Sequence, residues 1–158
     1  MPARLTPFLI VGLLPAPALA QTAPSPLFGS WAVDVTRLPM PPEARPKSVI
    51  FTYGDAGGGK LRTSVDILGG DGSASHAVST SALDGSAAPV IGSPEADTIA
   101  LKSPQPNVLI MALSKGGIPG STRIYVVAPD GKSLVETAVY FAQGGVPVMR
   151  TNYFTRVR

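Results

Sequence analysis

The sequence predicts an all-β protein, an up-and-down antiparallel β-barrel of about eight strands. Apolar side chains recur at every second position in many short runs, whereas no run after residue 20 keeps the 3.6-residue period of an amphipathic helix. Turn dipeptides such as Asp71-Gly72, Gly116-Gly117 and Asp130-Gly131 separate these runs, as is typical of β-hairpins. Strands joined in order by hairpins form a meander, and closing the meander into a barrel removes its exposed edges.

The first runs show the alternation clearly. In WAVDVT, Trp31 and Val33 share one face and Asp34 takes the other, and in LRTSVDI, Leu61 alternates with Arg62 in the same way. Such alternation is the pattern of a strand with one dry and one wet face. The remaining strand candidates cover residues 48–53, 75–83, 97–102, 107–114, 121–128, 133–142 and 147–157.

Residues 1–20 are predicted to form a secretory signal peptide. Arg4 supplies the positive charge, residues 8–14 are apolar, and Ala18-Leu19-Ala20 matches the small residues read by signal peptidase, so cleavage is expected before Gln21. The apolar run is about half the ~20 residues that a bilayer span needs. We therefore expect an exported protein, periplasmic or secreted, with no membrane span after cleavage. An extended lead-in is predicted over 21–28 and the barrel domain over 29–158.

Composition narrows the chemistry. The chain has no cysteine, which excludes disulfides, thiolate metal sites and a cysteine nucleophile. Its 13 basic and 10 acidic residues give a net charge of +3, too small for the concentrated basic surface that nucleic-acid binding requires. His76 is the only histidine. We expect no metal, no cofactor and no nucleic-acid partner, and the oligomeric state is left open.

The segment GDAGGGK, Gly54 to Lys60, nearly matches a phosphate-binding loop. The motif needs a hydroxyl residue after the lysine to hold magnesium, and that position is Leu61. The loop must also open a helix whose amides bind the phosphates. The residues that follow alternate as a strand, so the segment is predicted to be a hairpin turn.

No catalytic constellation is predicted, and we expect a protein that is not an enzyme. Asp71, Ser73, Ser75 and His76 are close in sequence, but neighbours on a strand point to opposite faces and do not form a triad. A polar hairpin with His76 at the surface or rim is the favoured interpretation.

For one carboxylate, Glu136, the sequence pattern does not decide whether the side chain faces the barrel interior or the solvent. It shares a face with Leu134 and Tyr140, while Val135 and Phe141 share the other face. If the first face is internal, Glu136 is a buried carboxylate of functional interest. Because the second face is more consistently apolar, we expect that face to be internal and Glu136 to be solvated.

Several segments resemble known families. Gly29-x-Trp31 at the head of the first strand is similar to the G-x-W signature of lipocalins and the wider calycin group. More of the chain resembles a group of uncharacterised exported bacterial proteins with a lipocalin-like fold, through the segments 41–49, 84–102 and 129–134. The resemblance implies a barrel floor formed by Gly29 and Trp31, with Arg156 or Arg158 packed on the indole. It implies no particular reaction.

The favoured hypothesis is an exported module that binds a small apolar or amphipathic ligand in the barrel without catalysis. Small barrels either are filled by side chains or hold one small ligand. The predicted ligand-binding residues are Trp31, Phe51, Tyr53, Met111 and Phe154, with Val33 and Val65 also facing inward, and a polar tip such as that of Tyr53 would orient the ligand. The alternative is a structural or interaction protein of the cell envelope with a side-chain-filled barrel.

Overall fold

The computed structural model describes residues 24–157, which form ten strands and three short 3₁₀ segments. The predicted signal peptide, the first three residues of the lead-in (21–23) and Arg158 lie outside the described residues. The strands are β1 (Gly29–Val33), β2 (Ser48–Asp55), β3 (Lys60–Leu68), β4 (Ala74–Ala82), β5 (Asp84–Ile91), β6 (Thr98–Gln105), β7 (Val108–Lys115), β8 (Ile118–Val127), β9 (Ser133–Phe141) and β10 (Pro147–Arg156).

Each strand pairs antiparallel with the next, and β1 pairs with β10, so the meander closes into a barrel. The predicted fold class is confirmed, but the described residues hold ten strands rather than about eight. The strand that the sequence pattern missed is β5. Its residues are mostly small, it contains Pro89, and its Asp84-Gly85 start is turn chemistry. Asp84 pairs with Lys102 of β6, and its side chain also accepts hydrogen bonds from Ser86 as in a turn. The first residue of β5 therefore has turn chemistry, which hides the start of the strand in the sequence.

Successive strands run in opposite directions, so the connections divide between two ends of the barrel. One end, here called the floor end, carries the segment 24–28 and the β2–β3, β4–β5, β6–β7 and β8–β9 connections. The other end, here called the cavity end, carries residues 34–47, 69–73, 92–97, 116–117 and 142–146. The longest connection, 34–47, contains two 3₁₀ turns, Val35–Arg37 and Pro42–Ala44.

The GDAGGGK segment is a hairpin turn, as predicted. Strand β2 ends at Asp55 and β3 starts at Lys60, and Gly57, Gly58 and Gly59 all have positive φ. That backbone suits glycine and closes a tight turn between antiparallel strands. Leu61 is buried and alternates with exposed Arg62 in a strand, so no helix follows the loop.

The floor end is closed around Trp31. The indole is fully buried, its Nε1 donates to the Leu27 carbonyl oxygen at 2.9 Å, and the Arg156 guanidinium carbon lies 4.0 Å from the ring centroid. Arg156 also donates to the carbonyl oxygens of Gly131, Phe28 and Pro26, each at 2.5 Å. One side chain thus joins β10 to β1, to the β8–β9 connection and to the N-terminal segment.

Residues 24–28 are more than the extended lead-in that the sequence predicts. Pro26 and Leu27 lie in a turn, in which the Phe28 amide donates to the Ser25 carbonyl oxygen at 3.0 Å. The turn carries Leu27 beneath the barrel, where 2% of its surface is exposed and it belongs to the hydrophobic core.

Above Trp31 lies a cluster of four aromatic rings, those of Phe51, Tyr53, Tyr125 and Phe154. Neighbouring centroids are 5.4–6.3 Å apart, in tilted and edge-to-face arrangements, which are the favoured geometries for aromatic pairs. These rings fill the floor-end half of the interior.

Two seams of the wall have little strand pairing. Strand β1 is short and pairs with β10 only from Trp31↔Arg156 to Val33↔Phe154. Strands β4 and β5 pair only at Val78↔Ile91 and Ser79↔Val90, although Leu83 alone joins them. Among the described residues no helix has the length and apolar character to cross a bilayer.

Replacing Arg156 by Gln tests the floor. The variant loses the cation–π contact and most of the hydrogen bonds to three carbonyl groups, so we expect the free energy of unfolding to fall by roughly 2–4 kcal/mol. Urea denaturation measures it. The matched control is Arg62→Gln on the exposed face of β3, which should change stability by less than about 0.5 kcal/mol. Equal effects of the two substitutions would show that Arg156 does not anchor the floor.

Replacing Gly92 by Ala tests the entry to the β5–β6 connection. Gly92 has φ +79°, and a Cβ there would lie 2.1 Å from the backbone oxygen of His76. We expect a loss of roughly 2–4 kcal/mol, from left-handed strain plus overpacking. Gly58→Ala is the control, because Gly58 has φ +59° with no atom near the added carbon. It should lose only about 1 kcal/mol in thermal or urea unfolding, and a Gly92→Ala protein as stable as this control would refute the contact.

Candidate ligand-binding site

The cavity-end half of the barrel contains a cavity of about 300 Å³. Its apolar wall includes Val65 of β3, Val78 of β4, Val90 of β5 and Ile99 of β6. The connections 34–47 and 92–97 contribute to its lining through Leu38, Met40, Pro46 and Ser93–Ala96. Ligand sites have volumes of about 300–1,000 Å³, so this cavity is of a size for one small molecule.

A buried carboxylate lies at the inner end of this cavity. Glu136 of β9 is 2% exposed. Its Oε1 accepts a hydrogen bond from the Tyr125 hydroxyl at 3.0 Å, and its Oε2 accepts one from Asn152 Nδ2 at 2.5 Å. Arg123 Nε lies 3.6 Å from Glu136 Oε1. The carboxylate is therefore both hydrogen-bonded and paired, as a buried charge must be.

Arg123 joins this buried carboxylate to the cavity end. Its Nη2 lies 2.5 Å from Oε2 of Glu95 in the β5–β6 connection. Burial alone lowers the pKa of Arg123, but neighbouring Tyr125, Glu95 and Glu136 outweigh it and hold that pKa above its ordinary range. Burial, followed by neighbouring Tyr53 and Glu136, raises the pKa of Tyr125. Arg123 is thus a permanent cation and Tyr125 a neutral donor.

Arg150 and Asn152 of β10 complete the polar lining, and each has an unsatisfied atom. Arg150 Nε and Asn152 Oδ1 are buried without a hydrogen-bond partner. The Asn152 amide turns its Nδ2 towards Glu136, to which it donates, so Oδ1 points away from the carboxylate. The Arg150 guanidinium carbon lies 5.6 Å from the Tyr140 ring centroid.

Strand register explains why these polar groups meet. Arg123 and Arg150 both pair directly with Ala138, one from each side of β9. Ala138 is small and buried, so two long cationic side chains flank it. Glu136 lies one inward-facing position nearer the floor, between Tyr125 and Asn152. Three adjacent strands therefore present a cationic row above a hydrogen-bonded carboxylate.

The β5–β6 connection is tied across the cavity end of the barrel. Asp97 Oδ2 accepts a hydrogen bond from the Gly116 amide at 2.7 Å, and Lys115 Nζ donates to the Pro94 carbonyl oxygen. The hydrogen bond from the Gly116 amide and that from Thr98 lower the pKa of Asp97. These contacts hold Glu95 within reach of Arg123.

The residues predicted to bind a ligand fall into two groups. Phe51, Met111 and Phe154 line the cavity. Trp31 and Tyr53 lie nearer the floor in the packed core and do not line it. The Tyr53 hydroxyl, predicted as an orienting tip, is buried without a partner, and burial raises its pKa. The polar groups that face the cavity are instead those of Arg123, Glu136, Arg150 and Asn152.

The predicted floor residues lie at the other end. Gly29 begins β1 with φ 119° and pairs with Tyr53. Trp31 is buried beneath Arg156, while Arg158 lies outside the described residues. Within residues 24–157 no group of three or more His, Asp or Glu side chains is arranged to hold a metal ion.

The prediction that Glu136 is solvated is wrong. Val135 and Phe141 face outward, with 37% and 69% of their surfaces exposed, and Leu134 faces inward with Glu136. The face that carries Leu134 and Glu136 is internal, although it is the more polar of the two. Its buried carboxylate is tolerated because Tyr125 and Asn152 donate hydrogen bonds to it and Arg123 lies beside it.

Two other polar expectations have different outcomes. Asp34 is not a strand residue: β1 ends at Val33, and Asp34 accepts from the Thr36 amide and caps a 3₁₀ turn. Asp66, which has the same strand parity as exposed Arg62, is also exposed, and its Oδ1 lies 2.6 Å from Nδ1 of exposed His76 on the outer surface.

Arg150 and Asn152 were missed, although a signal for them exists. Both have the same strand parity as Phe154, which the pattern placed inside. Following that parity along β10 would have brought both into the interior. Comparison of the chain with protein-family models, with curated protein sequences and with solved structures finds no match.

Replacing Glu136 by Gln tests the buried carboxylate. Tyr125 and Asn152 both donate hydrogen bonds to Glu136, but a glutamine has only one oxygen to accept them. The substitution also removes the internal negative charge beside Arg123. We expect the free energy of unfolding to fall by roughly 2–4 kcal/mol. The matched control is Glu95→Gln, because Glu95 pairs with the same Arg123 but its side chain is 61% exposed. The control should lose less than about 1 kcal/mol in urea denaturation, and a larger loss for the control would contradict this account.

Proposed function

We propose that this protein binds one small amphipathic molecule inside the barrel and does not transform it. The observation that carries the proposal is the interior of about 300 Å³ in which an apolar wall meets a small group of polar side chains. Apolar pockets with a few convergent polar groups are the usual form of small-molecule sites.

The two parts of the lining have separate roles in this proposal. Apolar side chains such as Val65, Val78 and Ile99 contact the body of the ligand and gain free energy by removing it from water. The polar groups of Arg123, Glu136 and their neighbours meet the other end and fix its orientation. No step of bond making or breaking is part of the proposal.

Export to the periplasm or the exterior, and membership of the group of exported lipocalin-like proteins that the sequence resembles, belong to the same proposal. An exported binding module could hold a sparingly soluble molecule between the site of its release and the site of its use. The barrel class agrees with such a role, since small closed barrels can enclose one ligand.

A cavity-filling substitution tests the proposal. Wild-type protein should bind 1-octanol at one saturable site in isothermal titration calorimetry. Val65→Trp, on the cavity wall, should abolish that binding because the indole takes the ligand's space. Arg62→Trp adds the same ring on the exposed face of β3 and should bind as the wild type does. Equal heats from all three proteins would refute binding in the cavity.

A second candidate function, contact with the cell envelope, is favoured by one observation. Four strongly exposed apolar residues gather at the cavity end of β8–β10: Ile118, Phe141, Val146 and Met149. Exposed apolar patches mark interaction surfaces. Flotation of the wild type and of Phe141→Ser with phospholipid vesicles tests this, and wild-type protein that stays in solution would exclude a membrane as the partner.

A further inference from the structure

We infer that the polar end of the ligand is an anion that also carries a hydrogen-bond donor, bound beside Arg150 and Asn152. This inference rests on the proposed function, because it concerns the same cavity. It assigns a chemical class to the molecule, such as a hydroxylated carboxylic acid with a short apolar chain.

The first argument is the distribution of charge in the cavity. Four charged residues line it: Glu95, Arg123, Glu136 and Arg150. Both carboxylates lie on Arg123, at 2.5 Å and 3.6 Å. Within residues 24–157 no carboxylate pairs with Arg150, whose Nε is buried and unsatisfied. Arg150 as a whole is half-buried, and an anionic ligand would supply the counter-charge that it lacks.

The second argument is hydrogen-bond accounting at Asn152, which is 8% exposed. Its Nδ2 is committed to Glu136, and its Oδ1 is buried with no donor within reach. Thr63 Oγ1, on the cavity wall contributed by β3, is also buried and unsatisfied. A buried polar atom without a partner calls for an explanation, and a donor on a ligand in this cavity would supply one. A simple carboxylate could satisfy Arg150 but not Asn152 Oδ1, which needs an O–H or N–H.

The third argument is that the protein already holds a carboxylate at this row of side chains. Glu95 reaches Arg123 from the β5–β6 connection, and Arg123 and Arg150 flank the same Ala138. The row therefore accommodates a carboxylate geometrically. Glu95 is 61% exposed at its side chain, so it is anchored weakly enough for a ligand to compete with it.

The size of the cavity sets the length of the probe. A volume of about 300 Å³ corresponds to about ten water-sized atoms at ~30 Å³ each. An eight-carbon acid has about that number of non-hydrogen atoms. The series 1-octanol, octanoate, 3-hydroxyoctanoate and octylamine thus changes only the polar end of a ligand that fits.

The experiment is titration calorimetry of the wild type with this series at about pH 8, where carboxylic acids are ionised. Octanoate should bind about tenfold more tightly than 1-octanol, the effect of one charge-assisted hydrogen bond. 3-Hydroxyoctanoate should bind several-fold more tightly than octanoate. Octylamine, a cation at this pH, should bind most weakly of the four.

The variant Arg150→Gln tests whether Arg150 causes the preference for octanoate over 1-octanol. Octanoate should weaken by about tenfold, while 1-octanol should change by less than about twofold. Arg62→Gln, on the exposed outer face, should leave both affinities unchanged. Arg150→Lys keeps the charge but lacks the Nε donor of the guanidinium, so it should retain part of the preference for octanoate. This variant tests the role of Arg150 if Arg150→Gln does not fold.

The outcomes separate the inference from the proposed function. If 1-octanol binds and octanoate binds no more tightly, or octylamine binds most tightly, the inference is overturned and the proposed function stands. If octanoate and 3-hydroxyoctanoate bind equally, the donor is not required and that part is wrong. A preference for octanoate that survives Arg150→Gln refutes the assigned residue. If none of the four ligands binds, both proposals fail.

Discussion

The width of the closed barrel, set by its number of strands, is the constraint on which this structure depends. Eight strands close a barrel that side chains can just fill, and this barrel has ten. The chain fills the floor end with a turn of its own N-terminal segment, Trp31 and four further aromatic rings. Short side chains such as Ala77 and Ala138 face the interior nearer the cavity end, and there the ring keeps an unfilled space. Closure and cavity are thus two results of one geometry.

The polar cluster sits where that space meets the packed core, and its energetics are those of a buried network. An isolated carboxylate at the position of Glu136 would cost several kcal/mol in lost hydration. Two neutral donors and one guanidinium offset that cost, and each comes from a neighbouring strand. A network of this kind rarely exceeds apolar packing in stability, so its presence is not explained by stability alone. It also leaves two buried polar atoms on β10, Arg150 Nε and Asn152 Oδ1, without a hydrogen-bond partner.

Much of the fold could be predicted from local pattern, and the site could not. The alternation of apolar and polar residues predicted the β-strands, and the turn dipeptides predicted the hairpins. A strand pattern, rather than a helix pattern, after Gly54–Lys60 excluded a phosphate-binding loop. Strand β5 was missed because Pro89 and small side chains hide its alternation. Glu136 was assigned to the wrong face because the mean apolarity of a strand ignores partners on other strands. Tyr125 and Asn152 lie 11 and 16 residues from Glu136 in sequence, and the register of the β8–β9 and β9–β10 pairs places them beside it.

The two thin seams of the wall divide the barrel into unequal half-shells, β1–β4 and β5–β10. Regions with few wall hydrogen bonds open at the lowest free energy, so widening of the interior is concentrated at Val78↔Ile91 and beside the short β1. Arg123, Glu136, Arg150 and Asn152 all belong to the larger shell. The seam between β4 and β5 is therefore where we expect the wall to separate most readily, and the whole polar cluster lies to one side of it.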